Sequence, residues 1–203
     1  MFYVGLDLGQ RHDPTAIAVV ERMELARAFQ GPVFHSLRVR HLERVPLGTP
    51  YPGVVARVRE ILRNGELAGN CALAVDGTGV GAPVVDMLRA ARLGCDISAV
   101  TITGGERQHQ AGSAWSVPKQ DLVAAVQVLL ERGELKVARG LRELGALVRE
   151  LTDVRSTTRG NGRVRLGADG CGEHDDLVIA LALACWRAKR GQIGFGAGRL
   201  TGI

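Results

Sequence analysis

Gly172-Glu173-His174-Asp175-Asp176-Leu177-Val178-Ile179-Ala180-Leu181-Ala182-Leu183-Ala184 sets two adjacent carboxylates in front of an unbroken apolar run. A helix that is apolar on every side belongs in the interior of a domain. Acids in its first turn are then held rigidly at the rim of that interior. One Asp at such a place caps free backbone N–H groups. Two acids beside a histidine exceed what capping needs, so this stretch predicts both a central buried helix and a functional rim.

A helix of this kind needs a sheet to lie on, and the upstream sequence supplies one. Phe2 to Leu8 is a short apolar run carrying Asp7 near its end, followed by the turn-forming Gly9-Gln10-Arg11-His12-Asp13-Pro14. Thr15 to Glu21 is a second, β-branched run, and the two predict a hairpin. Val33 to Val45 alternates apolar and polar residues, as a strand with one solvated face would. Pro52 opens a helix with Val54, Val55, Val58, Ile61 and Leu62 on one stripe, closed by Gly65. Cys71 to Val75 is a fourth strand bounded by Asp76, and Gly77-Thr78-Gly79-Val80-Gly81 leads into a second helix ending at Gly94. Ile97 to Thr103 is a fifth strand.

Beyond it, Gly104 to Ser116 lacks periodicity and predicts a mobile loop. Pro118 starts an amphipathic helix (Leu122, Val123, Val126, Leu129, Leu130) that stops at Gly133, and Leu135 to Ala138 is a short extended piece. Leu141, Leu144, Leu147, Val148 and Leu151 mark a further helix. Thr152 to Leu166 predicts a hairpin around Gly160-Asn161-Gly162. The tail from Gly191 is glycine-rich and expected to be flexible. The expectation is an α/β chain with a five-stranded mixed sheet flanked by helices, and a basic β-hairpin added before the last helix. With no linker or composition shift, residues 1–203 are expected to form one domain.

Composition narrows the classes. Apolar residues make up 46% and charged residues 23%, ordinary for a globular protein. The net charge of +5 favours polyanionic partners mildly. Four cysteines (Cys71, Cys95, Cys171, Cys185) lie far apart with no zinc spacing, and Cys71 and Cys185 read as small core residues. The N-terminus opens directly into a strand pattern rather than a signal peptide. The apolar run after Asp176 is too short and too alanine-rich to span a membrane. A reduced, cytoplasmic protein without a membrane partner is expected.

Three places now carry acids at element ends: Asp7, Asp76 and the Asp175/Asp176 pair. A carboxylate at a strand's end is a costly place for a charge, because its apolar neighbours are being buried. Like charges gathered at one edge repel unless a cation sits among them. In a mixed sheet the first and fourth strands can lie parallel and adjacent, and a helix across them would supply the third corner. Carboxylates on separate rigid elements can hold two divalent ions that orient water and stabilise a leaving oxygen in phosphodiester cleavage. Mg²⁺ or Mn²⁺ suits such an all-oxygen site. Against this stand structural readings: a turn acid at Asp7, a cap of the glycine turn at Asp76, a helix cap at Asp175 or Asp176.

Three pieces of the chain resemble the nuclease domain of the large terminase subunit of tailed bacteriophages. They are Val4-Gly5-Leu6-Asp7 with Asp13-Pro14-Thr15-Ala16, then Val75-Asp76-Gly77-Thr78-Gly79-Val80-Gly81, and His174-Asp175-Asp176-Leu177-Val178 with Ala180-Leu181-Ala182. Ser116-Val117-Pro118-Lys119 through Leu129, with Gly133-Glu134-Leu135, is similar to that family's helix ahead of its last strand. The resemblance covers most of residues 1–190 in the right order. It implies an RNase H-like fold and a two-metal endonuclease that cuts concatemeric viral DNA at packaging, in an infected or prophage-carrying bacterial host. Asp7, Asp76 and an acid of the Asp175/Asp176 pair would be the metal ligands. It further implies a packaging ATPase domain or subunit, a small terminase and a portal as partners. The family's large subunit begins with that ATPase, whereas no G-x-x-x-x-G-K-[ST] occurs here. The chain is therefore expected to be an excised domain or a separately encoded nuclease.

His174 is a candidate for orienting a water or meeting the scissile phosphate, and Lys119 for reaching a phosphate. Arg155, Arg159, Arg163 and Arg165, with no acid between residues 155 and 168, suit backbone contacts to double-stranded DNA. Aromatics at 4% are too scarce for base stacking to be the obvious mode. Three rival readings remain. Gly5-Leu6-Asp7-Leu8-Gly9 and Asp76-Gly77-Thr78-Gly79 resemble phosphate loops of actin-like ATPases and sugar kinases, which need two such domains. A RuvC-type Holliday-junction resolvase usually places a further acid one turn into the last helix, where Val178 and Ile179 stand here. The third rival is a non-catalytic DNA-binding or assembly module.

Overall fold

Period-two alternation in the first strand, β1 (Phe2–Asp7), already assigns the two faces of the sheet. Phe2, Val4 and Leu6 enter one apolar cluster while Tyr3 enters the other, which puts Gly5 and Asp7 on the side of Tyr3. The computed structural model describes residues 1–9, 13–24, 35–79, 81–112, 114–158, 164–168 and 175–190. After β1 come β2 (Ala16–Glu24), β3 (His35–Arg44), α1 (Tyr51–Leu62), β4 (Cys71–Asp76), α2 (Gly81–Ala90) and β5 (Asp96–Thr103). They are followed by β6 (His109–Ala111), β7 (Ala114–Pro118), α3 (Lys119–Glu131), β8 (Leu135–Val137), α4 (Leu144–Asp153), β9 (Val154–Thr158), β10 (Val164–Ala168) and α5 (Asp176–Arg190).

The main sheet is mixed, in the order β6-β7-β5-β4-β1-β2-β3-β8, with β9 and β10 as a separate antiparallel hairpin. Helices α1 and α2 cover the Phe2/Val4/Leu6 face; α3, α4 and α5 cover the other. The expected β1–β2 hairpin and the parallel β1–β4 neighbours are present, and β4 also pairs in parallel with β5. The sheet has eight strands among the described residues rather than the expected five. Residues 104–116, expected to be a loop, contain β6 and the start of β7, which pairs in parallel with β5. Their exposed, polar sequence hides the pairing, which several contacts to the distant α5 accompany, among them Trp186 and Arg190 donating to Gln108. Trp115 meets Trp186 of α5 edge-to-face at 5.5 Å, with the Arg190 guanidinium 3.6 Å from the Trp115 ring centre. The short piece at Leu135 also joins the sheet, in parallel with β3.

The helix α5 is buried almost throughout, as its composition predicts. Its close seat on β1 depends on Gly5: a Cβ there would stand 1.9 Å from the Ala180 carbonyl oxygen and 2.7 Å from the Ala184 nitrogen. Helix α3 ends as its sequence predicts. Gly133 takes a positive φ of 65°, and the Glu134 and Gly133 N–H groups donate back to the carbonyls of Leu129 and Leu130. Helix α4 turns differently from its expected stripe. Val148 is 52% exposed, while Glu150 is buried at 6%. Among the described residues no helix is long and apolar enough to cross a membrane.

Candidate metal centre

The acids meet because strand parity and register leave them no other arrangement. In β1 and β4, parallel neighbours with Leu6 beside Val75, the next residues are Asp7 and Asp76. Both lie on the α5 side of the sheet, since Ala72 and Ala74 share their parity with Asp76 and join the α5 cluster. Helix α5 crosses this face, and Asp176 is its first residue, with the Asp175 carbonyl accepting the first helical hydrogen bond from Ile179. Lys119 opens α3 directly after β7, whose Pro118 pairs with Thr103 at the end of β5. The C-terminal ends of β1, β4, β5 and β7 and the starts of α3 and α5 therefore share one edge, where open α/β sheets place their ligands.

Electrostatics register the convergence. The Asp7 carboxyl is held well above the usual carboxylate range, first by burial and then by the charges of Asp76, Asp176 and Asp175, with Lys119 opposing. Asp76 is raised by burial, against hydrogen bonds from the Thr78 hydroxyl and from the Thr78 backbone N–H at 2.8 Å. Asp76 thus also caps the glycine turn. Thr78 in turn accepts from Ile102 N–H at 2.9 Å, tying the end of β4 to β5. The Lys119 Nζ stands 2.5 Å from Asp175 Oδ2.

Two residues that the sequence reading passed over complete the cluster. Glu150, on α4, accepts the Val178 N–H of α5 at 3.0 Å, so it caps from outside a helix whose first turn holds the candidate ligands. Arg44, the last residue of β3, pairs with Glu150 and places its Nε 3.7 Å from Asp176 Oδ2. The Glu150 carboxyl is pushed up to about 7, chiefly by burial and further by Asp176 and Asp175, against the pull of the Val178 N–H and Arg44. A signal existed: Glu150 lies three residues beyond Leu147 on a helix whose other face would expose it.

Of the candidates read from sequence, Asp7, Asp76, Asp175, Asp176 and Lys119 come together at this edge. His174, Arg159 and Arg163 lie outside the described residues. Arg155 and Arg165 occupy register positions on the β9–β10 hairpin, opposite Gly167 and Thr157. Among the described residues no group of three His, Cys, Asp or Glu side chains is arranged to hold a metal ion as they stand. Lys119 and Arg44 instead supply the counter-charge to Asp175 and Asp176. The donor set nevertheless has the chemistry that hard divalent ions take: all oxygen, from three rigid elements, with Asp7 still held up by the charges of its neighbours.

No protein-family model and no curated protein matches the sequence. Solved structures do. The large terminase nuclease from thermophilic phage G20c with bound magnesium is 24% identical at a TM-score of 0.63, over 92% of this chain and 81% of that one. The nuclease domain of the large terminase subunit of bacterial virus Sf6, with manganese and β-thujaplicinol, is 17% identical at a TM-score of 0.62, over 91% and 87%. The HK97 bacteriophage large terminase is 16% identical at a TM-score of 0.55; the match takes in 91% of this chain but 38% of that one. The chain therefore has the RNase H-like fold of those nuclease domains.

Proposed function

We propose that this chain is a divalent-metal-dependent endonuclease that cuts double-stranded DNA during viral genome packaging. The observation that carries the reading is the gathering of Asp7, Asp76, Asp175 and Asp176 at one sheet edge, in a fold whose similar structures bind magnesium or manganese. Asp7, Asp76 and the Asp175/Asp176 pair would hold two Mg²⁺ or Mn²⁺ ions. When bound, such ions supply an activated water and charge stabilisation at the leaving oxygen.

The chain's own residues do the rest. The rigid ends of β1 and β4 and the first turn of α5 fix the carboxylates. Glu150 and Arg44 hold that turn in place through Val178 and Asp176. Lys119, which pairs with Asp175, would neutralise a phosphate that approaches the same edge. Arg155, Arg159, Arg163 and Arg165, with His174 nearer the acids in sequence, would meet the backbone of the duplex without reading bases. By the same reasoning a packaging ATPase domain or subunit, with a small terminase and a portal, would deliver the DNA in the cytoplasm of a bacterial host.

The test is nicking of supercoiled plasmid and cutting of linear duplex. Activity is expected with Mn²⁺ or Mg²⁺ and not with Ca²⁺ or EDTA, and Asp7→Asn should abolish it with the fold intact. Cleavage by Asp7→Asn at the rate of the unaltered chain would overturn the metal-site assignment.

A further inference from the structure

At the opposite edge of the sheet, away from the acids, β4 begins with Cys71 and Cys95 stands just before the neighbouring β5. Ala72 pairs with Asp96, so Cys71 and Cys95 stand at the preceding position of adjacent parallel strands. Both thiols belong to the α1/α2 side of the sheet. Adjacent strands run about 4.8 Å apart, inside the Cα separation of about 4.4–6.8 Å that a disulfide spans. Cys95 precedes its strand, in a bend, and is partly exposed, whereas Cys71 is buried. The two open on a surface cavity of about 550 Å³ that Arg89, Arg92 and Asp96 also line. None of these residues serves the proposed nuclease reaction.

We infer that Cys71 and Cys95 form a dithiol site that closes to a disulfide by exchange with low-molecular-weight disulfides of the glutathione class. The partly exposed Cys95 attacks one sulfur of the small disulfide, giving a Cys95 mixed disulfide and releasing one small thiol. Cys71 then attacks the Cys95 sulfur, forming the Cys71–Cys95 bond and releasing the second. Two protein thiols are oxidised and one small disulfide is reduced to two thiols, each attacking thiol losing its proton to water. A hydrogen bond from Cys95 to the Cys71 sulfur holds the two sulfurs together; it raises the Cys95 value and lowers that of Cys71, so the exposed Cys95 attacks through its minor thiolate form and Cys71 is the readier thiolate for the closing step. Arg89, paired with Asp86, and Arg92 line the mouth, where an anionic disulfide would approach, while Asp96 raises the Cys95 thiol. Cys185 provides the contrast within the same chain, fully buried and pushed up to about 12.

The experiment equilibrates the full chain in buffers of rising oxidised-to-reduced glutathione ratio, quenches with an alkylating reagent and maps disulfides by peptide mass spectrometry. The expected result is one two-electron transition linking Cys71 to Cys95 while Cys185 stays alkylated, with an upward shift of the unfolding midpoint on oxidation. Cys71→Ser should instead accumulate the Cys95–glutathione mixed disulfide. The inference is overturned if neither thiol reacts more readily than Cys185, if Cys95 stops at the mixed disulfide in the unaltered chain, or if either links to Cys171.

Discussion

Replacing Glu150 separates its two jobs, capping α5 and carrying a buried charge. Glu150→Gln keeps an oxygen for the Val178 N–H, but its amide NH2 turns a donor toward Arg44 and it cannot ionise. The carboxyl of Glu150 moves from an ordinary 4.5 to about 7 on folding. A raised value means that the folded chain binds the proton more tightly than the unfolded chain. Its contribution to stability is therefore fully present below about pH 4.5 and is lost as pH rises to about 7. That interval corresponds to about 3 kcal/mol. Urea unfolding in EDTA from pH 4.5 to pH 8 is the assay. The stability of Glu150→Gln relative to the unaltered chain should climb across the interval by an amount of that order. Glu150→Ala should be destabilised at every pH by about 1–3 kcal/mol, since it leaves a buried helix N–H without its acceptor. Parallel pH curves for the unaltered chain and Glu150→Gln would refute the burial and charge argument.

Three further outcomes follow from the same geometry. Asp7→Asn removes a carboxylate raised by burial and like charge, so it should stabilise the metal-free chain by about 1–3 kcal/mol while abolishing the rise in unfolding midpoint caused by Mn²⁺; calorimetric scans with and without Mn²⁺ check both. Gly5→Ala would drive a methyl group to within 1.9 Å of the Ala180 carbonyl, displacing α5 at a cost of about 3 kcal/mol or more, read as a fall in the unfolding midpoint. Lys119→Met removes the cation 2.5 Å from Asp175, so Mn²⁺ should bind roughly 3- to 10-fold more tightly by titration calorimetry even as plasmid nicking slows.

Much of this was legible in the residues, for physical reasons that vary by element. The run from Leu177 could only be a buried helix, and Asp7 and Asp76 at the ends of apolar runs fixed the edge where it had to meet the sheet. Gly5 stands in the middle of the first strand's motif, but its purpose appears only when Ala180 lies against it. Strands β6 and β7 were missed because the contacts that accompany their pairing, Trp115 with Trp186 among them, are to a distant helix, and nothing local in residues 104–116 announces them. Glu150 was missed because α4 offers two plausible apolar stripes sharing Leu147. The stripe with Val148 looked better until the needs of the α5 N-terminus and of Arg44 decided for the other. The expected hairpin at Thr152 to Leu166 has its strands two residues further on, at Val154–Thr158 and Val164–Ala168, and its turn signal at Gly160-Asn161-Gly162 lies outside the described residues.

The central claim is that the acids of β1, β4 and α5 together form one divalent-cation site. Anomalous scattering from a crystal of the unaltered chain soaked in Mn²⁺ tests it most directly. The account predicts two peaks between Asp7, Asp76 and the Asp175/Asp176 pair, with Lys119 drawn off Asp175. Mn²⁺ elsewhere on the surface, or no peak at that edge at a concentration that supports DNA cleavage, would contradict it.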